Sequence, residues 1–343
     1  MPNTRPVNDR PEFTRVMLEK AERLGLARVL PIAAVSSGSE GERLTDFEAL
    51  VEAGVVAFSD DGRPVKTAGL MRQAMGKAVP LRVPIIDHCE DTSLSAGAPI
   101  NEGPVAKRLG MPGIPNSSEE VCLARDLVLA EETGAHLHVA HISTRRAVEM
   151  VCAAKRHGVR VTCEVTPHHF TLTDSAVEQF GTNAKMNPPL RSAEDVEAVI
   201  AGIADGTVDA IATDHAPHVA ELKQKHLADA AFGVMGLETA LALALTRLVH
   251  TGRISLGRLV VLMSTHPARI ITPGLVKLPV TQSVGHLKVG APADITVFDP
   301  NLEWTYRAAE GRSNSRNTPF DGWKLKGAVV ATIVAGKFAY RRE

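Results

Sequence analysis

Several features are missing from this sequence, and each absence removes a class of function. Lys and Arg (38) nearly balance Asp and Glu (39), leaving a formal charge of -1, so no basic field exists to hold nucleic acid or an anionic membrane. No segment approaches the ~18 uninterrupted apolar residues of a membrane span, and the opening Met1-Pro2-Asn3-Thr4-Arg5-Pro6 lacks the apolar core of a signal peptide. The four cysteines, Cys89, Cys122, Cys152 and Cys163, show no C-x-x-C spacing. That argues against a zinc ribbon or a disulfide framework and for a reducing, cytoplasmic location. There is no G-x-x-x-x-G-K-[ST] phosphate loop and no G-x-G-x-x-G after a strand. Ser36-Ser37-Gly38-Ser39 has no G-x-S-x-G frame and reads as a turn rather than a nucleophile elbow. The expected partner is a small molecule or another protein.

What is present is alternation. Apolar or β-branched runs at 29–35, 55–59, 82–87, 136–141, 159–165 and 208–213 are each of strand length. Helix-like segments at 12–24, 45–53, 67–77, 118–132, 145–156 and 193–204 lie between and after them, and two more follow near 235–250 and 255–263. Ser117 and Glu120 have the spacing of a capping box, and Gly134 reads as the stop of the same helix. Six βα units with strands apolar on both faces suit a parallel sheet or barrel, and a closed (β/α)8 barrel needs eight. The expected fold is therefore α/β: a TIM-like barrel over 1–284, N-terminally incomplete, with a small β-sandwich-like unit over 285–343. In that tail 290–298 and 327–336 read as strands, with 313–318 as a loop between them.

In a parallel barrel the C-terminal ends of all strands share one mouth. Asp60, Asp61, His88, His141 and Asp214 stand at such ends. One histidine at a strand end is commonly a hydrogen-bonded structural residue, but successive ends finishing in His or Asp point to a metal-dependent hydrolase. The set suits zinc, which takes imidazole nitrogens and carboxylates and keeps an open position for a water whose pKa falls from ~15.7 to about 7. Asp214 is the candidate to take that water's proton and pass it to a leaving nitrogen; the plainer reading is a loop N-cap. Asn187, held ahead of Pro188 and Pro189, either presents an amide to a substrate or marks a rigid turn. Thr166-Pro167-His168-His169 places an imidazole near the mouth in a supporting rather than a ligating role. The polar stretch 218–232, with Glu221, Lys223, Lys225 and His226, is either a lid or a solvated loop.

Taken in order, Met1-Pro2-Asn3-Thr4, Phe58-Ser59-Asp60-Asp61-Gly62, Asp87-His88-Cys89-Glu90, His141-Ile142-Ser143-Thr144, the segment 164–169, Met186-Asn187-Pro188-Pro189-Leu190-Arg191, the segment 213–218 and Gly236-Leu237-Glu238-Thr239 resemble the dihydroorotases of the larger bacterial type, cyclic amidohydrolases of the amidohydrolase superfamily. The resemblance runs from Met1 to the C-terminus. It implies reversible hydrolysis of the cyclic amide of (S)-dihydroorotate to N-carbamoyl-L-aspartate in pyrimidine biosynthesis, with one or two zinc ions. It implies that His88 and His141 ligate metal from the fifth and sixth strands, and that Asp61 replaces the carboxylated lysine of relatives. Asp214 is then the eighth-strand acid/base and a further metal ligand. Asn3, Asn187 and His218 would grip the carboxylate and ring, and the backbone at Phe232 and Gly233 would approach the ring. A homo-oligomer and an association with aspartate carbamoyltransferase are the implied partners.

One element of the family pattern is absent. The His-x-His-x-Arg of the first strand has no counterpart, since the first histidine here is His88. Met1-Pro2-Asn3-Thr4 matches the interior of the pattern, so the expectation is a start at an internal methionine of a longer reading frame. The 343 residues alone would then bind metal weakly and turn over little. A hydantoinase or allantoinase shares the metal frame, although 187–191 and 213–218 look more like dihydroorotase. A non-catalytic homologue that scaffolds aspartate carbamoyltransferase is a third reading, and the presence of Asp61, His88, His141 and Asp214 speaks against it.

Overall fold

The computed structural model describes residues 1–275 and 284–342. All six expected apolar runs contribute a strand, each shorter than its run: β1 Ile32–Ala33, β2 Ala57–Phe58, β3 Ile85–Asp87, β6 Leu137–Val139, β7 Val161–Val165 and β8 Ala210–Ile211. They form one parallel sheet in the order β1-β2-β3-β6-β7-β8. Between β3 and β6 the chain inserts a parallel pair, β4 Ile100–Asn101 and β5 Gly113–Ile114, which the apolar pattern does not announce because each strand is two residues long.

The helices pack on the outside of this sheet. Phe47–Glu52, Ala68–Leu81, Asn116–Thr133, Arg145–Arg156 and Ala193–Asp205 enclose a core that includes Phe58, Ile85, Leu137, Val139, Cys163, Val165 and Val208, while Pro11–Leu24 adds no residue to it. Several starts are capped by a side-chain oxygen: Asp46, Thr67, Thr144 and Ser192 each accept a backbone N–H of their first turn. The capping box expected at Ser117 and Glu120 is not formed. Pro115, extended at φ -70°, starts the helix at Asn116, so Ser117 falls inside the first turn, where it cannot cap. Gly134 does stop that helix, in the left-handed conformation at φ 71°.

Strand β7 shows why the other face of the sheet differs. Its residues alternate, with Val161, Cys163 and Val165 buried outward among the helices and Thr162 and Glu164 facing the other way. There His138 Nε2 meets Glu164 at 3.0 Å, and Thr162 Oγ1 lies 2.8 Å from both His136 and His138. The inner face is thus polar towards one end of the strands.

Beyond β8 the helix expected near 235–250 begins only at Ala240, because the chain first runs against the end of the strand: a Cβ on Gly236 would lie 2.4 Å from the Thr213 carbonyl oxygen. From Ile295 the chain forms one three-stranded antiparallel sheet, β9 Ile295–Thr305, β10 Lys324–Val334 and β11 Lys337–Arg341, in the order β11-β10-β9. It lies directly on the helical turn Leu245–Val249, where Gly327 leaves no room for a side chain, the would-be Cβ falling 2.2 Å from Leu245 Cδ1. No helix of the described residues is long and apolar enough to cross a membrane.

Candidate active site

Three of the expected ligands converge. His88 Nδ1 and His141 Nε2 are 3.2 Å apart, and Asp61 Oδ1 lies 3.4 Å from His141 Nε2 and 3.9 Å from His88 Nδ1. The side chains are 2 %, 4 % and 12 % exposed for His88, His141 and Asp61, so all three face one another out of bulk water. The donor set fits a cation on geometry and chemistry. His88 Nε2 is held at 3.0 Å by Glu90, which fixes its N–H there and leaves the Nδ1 lone pair pointing at His141 and Asp61, the arrangement that orients a metal-binding imidazole. His141 reaches its position in a left-handed conformation, φ 32°, and its Nδ1 is buried without a hydrogen-bond partner.

The electrostatics of the cluster follow from burial and opposite charge. Burial works to raise the Asp61 carboxyl, but the hydrogen bond and charge of His141 and the charge of His88 outweigh it and hold it at about 2. Burial works to lower the His141 imidazole, and the Asp61 hydrogen bond with the charges of Asp214, Asp61 and Glu164 overcomes that and lifts it to about 9. Two imidazoles among three carboxylates form an electron-rich pocket suited to a divalent ion.

Asp214 stands next to this group rather than in it. It follows β8 in a strained left-handed conformation, φ 43°, and burial raises its pKa, partly offset by His141 and reinforced by Asp61. A carboxyl moved towards neutrality beside a candidate metal site is the kind of group that exchanges protons. Asp60 turns away: Ser36 binds its carboxylate through both backbone N–H and hydroxyl, so of the two neighbouring aspartates only Asp61 belongs to the site.

Of the expected substrate contacts, Asn3 and Asn187 reach the cluster, while His218, Phe232 and Gly233 are bonded to one another and to the Lys185 backbone. Asn3 donates to Asp61 at 3.2 Å. Asn187 donates its amide to Glu90 at 2.9 Å and sits 3.5 Å from His88 Nε2. His218 Nε2 binds the Phe232 carbonyl at 2.6 Å, and the Gly233 N–H donates to the Lys185 carbonyl at 2.9 Å. His169 bonds Thr166 and the Pro188 carbonyl, which gives it a structural role beneath Asn187. His168 is buried beside it with no partner for Nε2.

Two residues of the site were not singled out from the sequence. Glu90 touches both His88 and Asn187, and its carboxyl is brought to about 2 because bonds from His88, Ser95 and Asn187 outweigh burial; its place immediately after His88-Cys89 was the available signal. Arg191 is buried and bonds Ser143 Oγ, Asn101 Oδ1 and the Ile114 carbonyl, each at 3.0 Å. Glu119 in turn accepts the backbone N–H groups of Ser143 and Thr144. This buried network fastens the loop after His141 to the loop carrying Asn187.

Comparison with known proteins gives a consistent result. A family model described as Dihydro-orotase-like matches residues 1–147. The dihydroorotase of Syntrophus aciditrophicus is 51 % identical over 343 residues, covering 100 % of this chain and 78 % of the relative, and that of Pelobacter propionicus is 49 % identical over 342 residues with the same shares. Among solved structures, the L-hydantoinase (dihydropyrimidinase) of Arthrobacter aurescens superposes with a TM-score of 0.81 at 26 % identity, over 98 % of this chain and 75 % of that one. A D-hydantoinase (dihydropyrimidinase) from Thermus sp. gives 0.77 at 26 %, over 95 % and 73 %.

Proposed function

The chain belongs to the dihydroorotase family, and from that premise we propose that it interconverts (S)-dihydroorotate and N-carbamoyl-L-aspartate by opening and closing the ring amide. The observation that carries the reading is the convergence of Asp61, His88 and His141 with Asp214 beside them and Asn187 tied into the same group through Glu90. Zinc is the metal this donor set suits, and Asp61, His88 and His141 are the residues that would hold it, with Asp214 adjacent. When bound, such an ion supplies a Lewis acid that polarises a carbonyl and makes water a competent nucleophile at neutral pH.

The protein's own groups supply the rest. Asp214 takes the proton of the attacking water and returns it to the ring nitrogen as the C–N bond breaks; its raised pKa suits both directions of this reversible transfer. Asn187 has its amide N–H committed to Glu90, which leaves its carbonyl oxygen free to accept from a ring N–H. His218 has Nε2 committed to the Phe232 carbonyl, leaving Nδ1 for the substrate carboxylate or ring. Asn3 closes the edge of the site against Asp61.

The test is direct. The zinc-loaded chain is assayed with dihydroorotate, hydantoin, dihydrouracil and allantoin. Metal-dependent hydrolysis of dihydroorotate well above the other three supports the assignment. Hydrolysis of hydantoin or dihydrouracil with none of dihydroorotate overturns it.

A further inference from the structure

Among the described residues, two buried lysines have no carboxylate bonded to them; both donate to backbone carbonyls within 227–233, and Lys223 donates to that of Lys185 as well. Lys223 is 4 % exposed. Its ammonium donates to the carbonyls of Ala231 at 2.8 Å, Gly233 at 3.0 Å and Lys185 at 3.3 Å, which uses all three of its donors. Lys185, 2 % exposed, donates to the carbonyls of Leu227 at 2.7 Å and Ala228 at 3.0 Å, and its ammonium lies 4.4 Å from the centre of the Phe232 ring. A buried cation without a counter-ion is costly unless its bonds are well made, so these carbonyls are held inward against the tendency of a surface loop to turn them to water.

The loop so fastened is the one that carries the proposed ring contacts. Lys223 bonds the carbonyl of Lys185, two residues before Asn187, and the carbonyl of Gly233, next to Phe232. It thereby ties the Asn187 segment to the Phe232–Gly233 segment. The passage is tight: Gly233 has φ 128°, and a Cβ there would meet Ala216 Cβ at 2.6 Å and His218 Nε2 at 3.0 Å. Asn317 completes the clamp from the far end of the chain, donating to the carbonyls of Ala216 at 2.9 Å and Gly233 at 3.0 Å and accepting the His218 N–H at 3.1 Å.

We propose that Lys223 is a positioning residue for the reaction, a clamp that sets Asn187, His218 and the Phe232–Gly233 peptide as one rigid wall for the ring. The proposal rests on the functional reading above, since that reading makes this wall the substrate face. Lys223 touches no part of the metal cluster and acts only through the backbone it holds. A wall that contacts the ring equally in ground and transition states affects binding more than the chemical step.

The experiment replaces Lys223 with Ala, removing three carbons and the amine, and measures kinetics with amide hydrogen exchange in the same preparations. K223A is expected to raise KM for dihydroorotate ~10-fold or more while changing kcat less than ~3-fold. Exchange of the amides in 227–234 should accelerate by ~10-fold or more while the parallel strands exchange as before. Added propylammonium, which matches the deleted atoms, should restore KM. K223Q, a shorter neutral side chain with two N–H donors, should lie between and serves if the alanine variant does not fold. Unchanged KM and unchanged loop exchange would overturn the clamp, as would a loss spread equally over kcat, KM and strand exchange. If the unmodified protein hydrolyses no dihydroorotate, the functional reading fails, and loop exchange still decides the clamp separately.

Discussion

Two clusters of metal-binding residue types sit on opposite sides of one short segment, and only one of them is left open to a metal ion. His88 points to Asp61 and His141; its neighbours Asp87 and Cys89 point the other way, to Cys122 and Asp126 on the helix Asn116–Thr133. By residue type the second group is the equal of the first, with two carboxylates and two thiols lying within 4.8 Å of one another. It already holds a cation, however. Arg125 binds Asp126 at 2.7 Å, lies 3.4 Å from Cys122 Sγ and 3.9 Å from Asp87 Oδ2, and donates to the Val65 carbonyl at 2.7 Å. Burial first, and then the charge of Asp126, raise the Asp87 carboxyl well above its usual range. The Asp61 group has no guanidinium, and its histidine nitrogens face each other. A set of ligand types stays open to a metal where no guanidinium is fixed in it; the positive charge beside Asp61 is a proton on His141, which a metal can displace.

The comparison breaks if the first cluster does not hold metal, and the largest effects lie there. His141→Ala should abolish zinc retention and lower turnover by ~10³ or more, with zinc read by elemental analysis after gel filtration. Cys122→Ala, on the other side of the strand, should leave the zinc content unchanged. Asp214→Ala should lower kcat by ~10² or more with metal still bound. Near-native turnover in that variant would remove Asp214 from the proton transfer.

Smaller effects sharpen the contrast. Glu90→Gln should weaken zinc affinity by ~10-fold, because the bond that fixes His88 loses its charge; competition with a chromogenic chelator measures this. Arg125→Met should cost about 2–4 kcal/mol in urea unfolding without altering zinc content, since it leaves Asp126 buried and uncompensated; the guanidinium is 22 % exposed, which keeps the loss below that of a fully buried pair. The two sites should also differ in pH response. With His141 raised to about 9 in the metal-free protein, zinc must displace its proton at pH 7. Apparent affinity should therefore climb by up to ~10-fold per pH unit from pH 7 towards 9, with proton release seen by calorimetry in buffers of different ionisation enthalpy. Uptake independent of pH over that range would contradict the assignment of His141.

Much of this was legible from residue order. The six apolar runs, the βα alternation and the His and Asp at strand ends are local patterns, so burial and period carry them directly into β1, β2, β3, β6, β7 and β8. The motifs around Asp61, His88, His141, Asn187 and Asp214 were enough to name the family, and Asp61, His88 and His141 are brought together by the fold. The pair β4–β5 and the failed capping box at Ser117 were not legible, because a two-residue strand has no period and Pro115 moved the helix start by two residues.

Sequence by itself determined which elements this chain makes, in what order, and which side chains could bind a metal, since these follow from propensity, periodicity and residue chemistry. Residue pattern alone left Asp60 beside Asp61, and Asp87 and Cys89 beside His88; the family resemblance favoured Asp61 and His88, and the tertiary structure turns those two towards each other and their neighbours away. A strand shows its period of two in its sequence but not which phase turns inward, which is settled by what packs against it. The same holds for Glu90, Arg125 and Lys223. Their partners are a histidine nitrogen, the carboxylate of the next residue with the Val65 carbonyl beyond it, and three backbone carbonyls, and a carbonyl is common to every residue, so no sequence pattern marks the ones that a buried lysine will hold.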